Sequence, residues 1–153
     1  MKIRIEISPE VTEQEVVIIC NRIDESVTSL QNVLLNIGDT RHKFSFCKDE
    51  TEFILNADDV LFFETADNAV WAHTANDQFE AKYKLYELEQ LLPPNFTRIS
   101  KSTIINIKEV YSITRNITAA SKIEFKNSPK VVYVSRNYYK MLKDKLAAAY
   151  RLD

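Results

Sequence analysis

Two segments near the carboxyl end combine cations with small polar side chains where a strand pattern breaks. Residues 96–106 have the sequence FTRISKSTIIN, and residues 134–139 have the sequence VSRNYY. Guanidinium and ammonium groups beside hydroxyls and amides suit phosphate oxygens and the edges of nucleotide bases. Both segments therefore indicate contact with a polyanion.

The charges of the chain are unevenly distributed. Residues 96–153 hold 12 Lys or Arg and four acidic side chains, a net charge of +8. Because the whole chain has a formal net charge of −2, residues 1–95 sum to −10. A basic carboxyl-terminal third beside an acidic remainder is typical of proteins that bind polyanions.

Other kinds of site lack the residues that they require. The single glycine, Gly38, excludes glycine-rich phosphate loops. His42 and His73 have no neighbouring Cys, Asp or Glu at metal spacing, so we expect no metal site. The adjacent Asp58 and Asp59 would point to opposite faces of a strand, which is unsuitable for paired catalytic carboxylates. We therefore expect neither an enzyme nor a cofactor.

The length of 153 residues predicts one ordinary domain, or a domain with a small appendage. No apolar run reaches the roughly 20 residues that a bilayer span needs. The amino-terminal alternation of apolar with charged residues is also unlike a signal peptide. We therefore expect a cytoplasmic protein.

Residues 1–40 are predicted to form a small β-β-α unit. Residues 2–7 alternate apolar and charged side chains, which predicts a strand. The β-branched run 15–23 predicts a second strand, with a helix as the alternative there. Asp24 then has the character of an N-cap, and apolar side chains recur on one helical face at positions 27, 30, 34 and 37.

Residues 41–153 are predicted to form a mainly β (α+β) domain. One helix is expected from about residue 85 to 92, before Pro93-Pro94, and another from about 137 to 150. Short strands are predicted near residues 43–47, 52–55, 60–64, 69–74, 78–82, 97–100, 102–105, 109–114, 121–126 and 130–135. Many short strands with few helices favour a β-rich fold.

Four features of this domain resemble the LytTR DNA-binding domain of bacterial transcription regulators. In chain order they are LFFE at 61–64, KLYELEQL at 84–91, FTRISKSTIIN at 96–106 and VSRNY at 134–138. The resemblance covers about residues 42–148. It implies an elongated β-domain of small sheets, preceded here by the β-β-α unit, that inserts loops into successive major grooves. It also implies a stand-alone regulator, because the receiver domain that usually precedes this family's domain is absent from the sequence.

The resemblance also implies roles for individual residues. The base-reading positions of the family correspond to Asn68, Lys101 and Arg136. Lys101 departs from the commoner Asn or Arg, which affects its base preference. Arg136 could donate two hydrogen bonds to guanine O6 and N7.

Residues around these positions divide into supports and contacts. We expect Arg98 and Glu64 to form an ion pair that fixes the loops, with phosphate contact by Arg98 as the alternative. Asn106 is expected to hydrogen-bond local backbone. Contacts with the DNA backbone are predicted for Ser100, Ser102, Arg115, Asn116, Lys122, Tyr138 and Lys140. An ordinary solvated surface is the alternative for these residues.

The sequence thus predicts a sequence-specific regulator of transcription that binds double-stranded DNA and is not an enzyme. A homodimer on promoter repeats is expected, and the apolar stripe of the 1–40 unit either mediates pairing or packs on its own strands. The alternative function is a protein-interaction module that regulates a partner, such as a membrane protein, with a vestigial DNA-binding face. A ligand-sensing domain would require a deep polar pocket, and RNA binding would favour an RNP-type motif, which the sequence lacks.

Overall fold

A computed structural model of the chain describes residues 2–12, 15–38 and 43–150, except for the side chains of residues 35–38. The chain divides into two units, Met1–Thr40 and Arg41–Asp153. Within the described part, ten strands and three helices are present. None of the described helices is long and apolar enough to cross a membrane.

The first unit contains one helix, α1, over Glu25–Gly38. The helix begins after Asp24, whose Oδ1 accepts hydrogen bonds from the backbone N–H groups of Ser26 and Val27, each at 3.1 Å. These bonds satisfy two donors that the first turn of a helix leaves without partners. The predicted N-cap is therefore present.

The two strands predicted for the first unit are not present, so the β part of the β-β-α prediction is wrong. Residues 2–12 and 15–24, the described residues before α1, contain no strand. Ile3, Ile5 and Ile7 are 84%, 83% and 94% exposed. A strand requires backbone hydrogen bonds with a neighbouring strand, and alternation of side chains does not supply that neighbour.

The second unit is mainly sheet, and the predicted fold class is confirmed. Its first five strands are β1 (Lys43–Lys48), β2 (Thr51–Asn56), β3 (Phe62–Ala66), β4 (Ala69–His73) and β5 (Gln78–Ala81). Helix α2 (Leu85–Leu91) follows. The remaining elements are β6 (Phe96–Ser100), β7 (Thr103–Asn106), β8 (Val110–Thr114), β9 (Ser121–Phe125), β10 (Val131–Val134) and α3 (Arg136–Tyr150).

The strands form two antiparallel sheets. The larger has the order β2-β1-β5-β4-β3-β7-β6, and the smaller has the order β10-β9-β8. The β3–β4 turn has positive φ at both central residues, 50° at Asp67 and 62° at Asn68. This combination is typical of two-residue hairpins, because its twist matches that of the flanking strands.

The large sheet contributes to a hydrophobic core on each of its faces. On one face, Phe46, Phe63 and Ile104 form a core with Leu85 and Leu88 of α2. On the other face, the core comprises Leu61, Phe62, Ile99, Ile105, Ile107, Ile123, Phe125, Val132, Val134, Leu142 and Leu146. This second core therefore joins the large sheet to the small sheet and α3. Adjacent residues such as Phe62 and Phe63 enter different cores because side chains alternate along a strand.

Candidate nucleic-acid interface

Two turns lie side by side at one end of the large sheet. The N–H of Thr65, near the end of β3, donates a hydrogen bond of 2.9 Å to the carbonyl of Ser102. Strand β3 pairs with β7 up to the match of Glu64 with Thr103. The β3–β4 turn, which carries Asn68, therefore adjoins the β6–β7 turn, which carries Lys101.

The start of α3 lies at the same end. The N–H of Ser135, between β10 and α3, donates a hydrogen bond of 2.9 Å to the carbonyl of Ile99, two residues before Lys101. Arg136 follows as the first residue of α3. The three residues predicted to contact bases are thus presented by neighbouring elements.

The β8–β9 loop adds a fourth element. The N–H of Asn116 donates a hydrogen bond of 3.0 Å to Ser121 Oγ, and Ser121 pairs with Val134, the last residue of β10. Arg115 and Asn116 line one surface depression together with Arg136. We call the surface formed by Asn68, Lys101, Arg115, Asn116 and Arg136 the turn surface.

The side chains of the three predicted base contacts point to solvent. Asn68, Lys101 and Arg136 are exposed. Within the described part of the chain, none of these three side chains makes a hydrogen bond or an ion pair with protein. Arg115 differs, because its guanidinium lies 5.5 Å from the ring centroid of Tyr139. The turn surface therefore combines exposed donors with one cation held against an aromatic ring.

Arg98 holds the β6–β7 turn in place. Its Nε donates to the Ser100 carbonyl at 3.0 Å, and its Nη2 donates to the Lys101 carbonyl. Its Nη1 donates to Glu89 Oε2 of α2 at 3.0 Å. A β-bulge lies beside the turn, between Arg98 and Ser100. The planar guanidinium thus bridges an irregular turn to a helix, a geometry that a lysine ammonium cannot reproduce.

The predicted Arg98–Glu64 ion pair is wrong. Arg98 pairs with Ile104 on β7, whereas Glu64 pairs with Thr103, one residue away. Because neighbouring positions on a strand point to opposite faces, Arg98 and Glu64 lie on opposite faces of the sheet. The ionic partner of Arg98 is Glu89.

Glu64 instead lies beside His73, in a polar cluster that the sequence did not predict. Glu64 Oε1 is 2.9 Å from His73 Nε2, although the contact is poorly aligned for a hydrogen bond. Lys130 Nζ lies 3.4 Å from His73 Nδ1. Burial, followed by the nearby Lys130 charge, lowers the pKa of His73 to about 4. Burial also raises the pKa of Glu64.

The ring of this histidine is part of an aromatic stack. His73 lies parallel to Phe62 at 4.2 Å between centroids, and Phe62 stacks on Phe125 at 5.3 Å. Lys130 also donates a hydrogen bond to the Asp77 carbonyl at 2.5 Å. The cluster therefore links the large sheet to the β9–β10 turn. The contact between His73 and Lys130 spans 57 residues of the chain, and no local sequence signal marks the members of the cluster.

Asn106 is fully buried and connects three segments. Its Oδ1 accepts hydrogen bonds from Asn95 Nδ2 at 2.8 Å and from the Lys108 N–H at 3.1 Å. Its Nδ2 donates to the Val60 carbonyl at 3.2 Å. A buried amide with both ends satisfied fixes the backbone around it. Asn106 therefore lies inside the fold, away from solvent.

The residues predicted to contact the DNA backbone are in varied environments. Ser100 and Ser102 lie at the β6–β7 turn, with their hydroxyl oxygens 3.4 Å apart. Lys122 makes an ion pair with Glu124 at 3.4 Å. Tyr138 is half-buried and packs against the second core, whereas Lys140 is exposed on the next turn of α3 after Arg136. Ser102 and Lys140 are therefore more accessible to a ligand than Ser100 and Tyr138 are.

Residues 50–147 match the sequence model of the family described as LytTr DNA-binding domain. This chain belongs to the LytTR family. The predicted family is confirmed, and so is the DNA-binding role that the family carries. The sequence specificity, the groove that is contacted and the individual contacts remain predictions.

Relatives of this LytTR protein match it along nearly its whole length. Two uncharacterized HTH-type transcriptional regulators, from Staphylococcus aureus strains NCTC 8325 / PS 47 and COL, are each 31% identical over 147 residues. The match covers 96% of this chain and 99% of each relative. A solved LytTr DNA-binding domain from Bacillus cereus has 22% identity and a TM-score of 0.63, covering 68% of this chain and 95% of its own. That likeness shows the shared fold.

The helices of the described chain do not form a helix-turn-helix, the motif that the relatives' names mention. Five strands separate α1 from α2, and five more separate α2 from α3. A helix-turn-helix requires two helices joined by a short turn. The exposed cations of the turn surface lie on turns and at the start of one helix.

Proposed function

We propose that this LytTR protein is a transcriptional regulator that binds specific double-stranded DNA sequences through its turn surface. The observation that carries the proposal is the convergence of the β3–β4 turn, the β6–β7 turn and the start of α3. Each presents an exposed side chain, Asn68, Lys101 or Arg136. Turns at the end of a rigid sheet can enter a major groove, which is about 12 Å wide.

The three side chains suit different base edges. Arg136 can donate two hydrogen bonds to guanine O6 and N7, and the Asn68 amide can pair with adenine N6 and N7. Lys101 can donate to guanine or to a phosphate. The start of α3 adds a favourable field for phosphate at Arg136, because the N-terminus of a helix is electropositive.

The surrounding residues can bind the sugar-phosphate backbone. The Ser100 and Ser102 hydroxyls and the Arg115 guanidinium are the nearest candidates, and Asn116 lies beside Arg115 on the turn surface. Lys122, Tyr138 and Lys140 are more peripheral. Such contacts fix the register of a protein on DNA and make its affinity depend on salt. We infer a homodimer that binds promoter repeats and carries out no catalysis.

Selection of duplexes from a random pool by the full chain tests this proposal. We expect an enriched sequence to emerge, and the binding constant for that duplex to fall linearly on logarithmic axes as salt rises. The matched control is the double variant Lys101→Ala/Arg136→Ala, which should enrich no sequence while keeping the wild-type circular dichroism spectrum. Failure of the wild-type protein to enrich any sequence would contradict the proposal.

A further inference from the structure

Residues 2–7 of the first unit expose apolar and charged side chains in alternation. Ile3, Ile5 and Ile7 are each more than 80% exposed. On the charged positions, Arg4 Nη2 lies 2.7 Å from Glu6 Oε1. A contact between side chains two residues apart is the geometry of a strand, in which such residues share a face. The segment therefore has two distinct faces, one of isoleucine and one of charge.

The segment has no strand partner among the described residues of the first unit. Within these residues, residues 2–7 belong to no strand and make no backbone hydrogen bond. A flat apolar segment with unpaired N–H and C=O groups is a template for pairing with another chain. Burial of the three exposed isoleucines, which occupy alternate positions, would also be favourable.

We propose that residues 2–7 pair antiparallel with the same residues of a second copy of this chain, with Ile5 opposite Ile5. The inference rests on the homodimer of the proposed function and specifies its interface. In this register Arg4 faces Glu6 of the second copy, and Glu6 faces Arg4. Ile3 faces Ile7, so all the isoleucines share one face.

The order of charged residues along this segment favours the Ile5-centred register over the other symmetric registers. Pairing centred on Ile3 would place Lys2 opposite Arg4. Pairing centred on Arg4 would place two arginines opposite each other, and pairing centred on Glu6 would oppose two glutamates. Directly opposed like charges destabilise a strand pair, whereas opposite charges stabilise it. A shift by one residue would mix isoleucine with charged side chains on each face. Among the symmetric registers that pair residues 2–7 with one another, only the Ile5-centred register pairs opposite charges without a like-charge pair.

The neighbouring β-branched run can extend the ribbon. A two-stranded ribbon is marginal in water, and three or more strands with an apolar face are needed for independent stability. Val16, Val17 and Ile19 are also exposed. Residues 15–23 of each copy can flank the central pair and give four strands. The sequence predicts these strands, and residues 2–12 and 15–24 of the single chain do not form them.

Disulfide trapping tests the register directly. In a Cys20→Ser/Cys47→Ala background, Ile5→Cys should form a covalent dimer under mild oxidation. Ile3→Cys and Ile7→Cys should each stay monomeric on denaturing gels, yet a mixture of the two should cross-link. Val33→Cys, on an exposed position of α1, is the control and should not cross-link.

Charge reversal tests the same register without cysteines. Arg4→Glu should raise the dimer dissociation constant about tenfold, because both symmetric pairs become repulsive. The Arg4→Glu/Glu6→Arg variant should restore the wild-type dissociation constant. Lys2 faces Ser8 in this register, so Lys2→Glu is the matched control and should change the dissociation constant little. Sedimentation of the full chain without DNA gives the constants.

Other outcomes overturn the proposal. The wild-type chain could stay monomeric, or Ile3→Cys alone could cross-link as readily as Ile5→Cys. The Arg4→Glu/Glu6→Arg variant could also fail to restore pairing. Cross-linking of Ile5→Cys to Ile54→Cys on the edge strand β2 would equally overturn it. A monomer that still binds its selected duplex would contradict this interface and leave the proposed function intact. A dimer that binds no preferred duplex would instead contradict the proposed function.

Discussion

The Nη2 of Arg98 donates a hydrogen bond to the carbonyl oxygen of Lys101. A side chain inside β6 therefore fixes the main chain of the turn that presents a predicted DNA contact. The same guanidinium is anchored to Glu89 of α2. The orientation of the Lys101 side chain thus depends on a residue that need not touch DNA at all.

Arg98→Lys should weaken both the fold and DNA binding. Lysine lacks the planar fork, so the turn carbonyls of Ser100 and Lys101 lose their donor. We expect the free energy of unfolding to fall by about 1–3 kcal/mol in urea titrations, which is the usual cost of breaking hydrogen bonds to a charged group. DNA affinity should fall at temperatures where the variant is folded.

Two variants separate this structural effect from loss of charge. Lys101→Ala removes a cation but keeps the Arg98 bonds to main-chain carbonyls, so its stability should stay near that of the wild type. Glu89→Gln keeps those bonds as well and should have a smaller effect on DNA affinity than Arg98→Lys. Equal affinities for wild type and Arg98→Lys would contradict the role of Arg98.

Arg136→Ala should reduce specific binding more than general binding. Loss of a bidentate contact with guanine costs about 1–3 kcal/mol of discrimination. We expect the binding free energy to weaken by this amount on the selected duplex and by much less on a random duplex. Fluorescence anisotropy at fixed salt measures both affinities. Lys143→Ala, on an exposed position of α3, is the control. Equal loss on both duplexes would make Arg136 a backbone contact.

Arg115→Ala should weaken binding to all sequences to a similar degree. A phosphate contact carries no sequence information, and its removal should reduce the magnitude of the salt slope by about 1. The slope is measured from binding constants over a range of salt concentrations. Lys126→Ala is the comparison, since Lys126 Nζ instead donates to the Lys108 carbonyl. An unchanged slope for Arg115→Ala would exclude a phosphate contact there.

The stability of the second unit should fall as pH decreases through the range from 6.5 to about 4. The pKa of His73 is lowered from 6.5 to about 4 by burial and by Lys130. In this window the unfolded chain binds a proton that the folded chain does not, so acid favours unfolding. The stabilisation is complete above pH 6.5 and lost toward pH 4.

His73→Gln should flatten this pH dependence in urea titrations, because glutamine does not titrate. The raised pKa of Glu64 acts in the opposite direction at the acidic end of the window. The comparison of wild type with His73→Gln isolates the histidine from the carboxylates. Parallel pH profiles for the two proteins would show that His73 titrates normally.

The sequence could predict most of the second unit because its local signals agree. Alternating strands, turn residues such as Asp67-Asn68 and the Pro93-Pro94 stop lie next to the elements that they define. The family pattern indicates the turn residues Asn68, Lys101 and Arg136. Their convergence depends on which strands pair, and the structure supplies that pairing.

Long-range partnerships could not be predicted in the same way. The face on which Arg98 lies is set by the register of β6 with β7 and by a bulge, and neither has a local signature. The contact of His73 with Lys130 spans 57 residues. Residues 2–7 have the alternation of a strand, but a strand also needs a neighbour, which periodicity does not identify.

The left-handed backbone at Asn68 restricts which side chains this position accepts and, under the proposed function, how operator preference can change. With φ at 62°, the position accepts Asn, Asp or Gly far more readily than a β-branched or bulky side chain. A substitution that suits a new base would distort the hairpin. Evolution of new target sequences should therefore act first on Lys101 and Arg136, where no such conformational restriction applies.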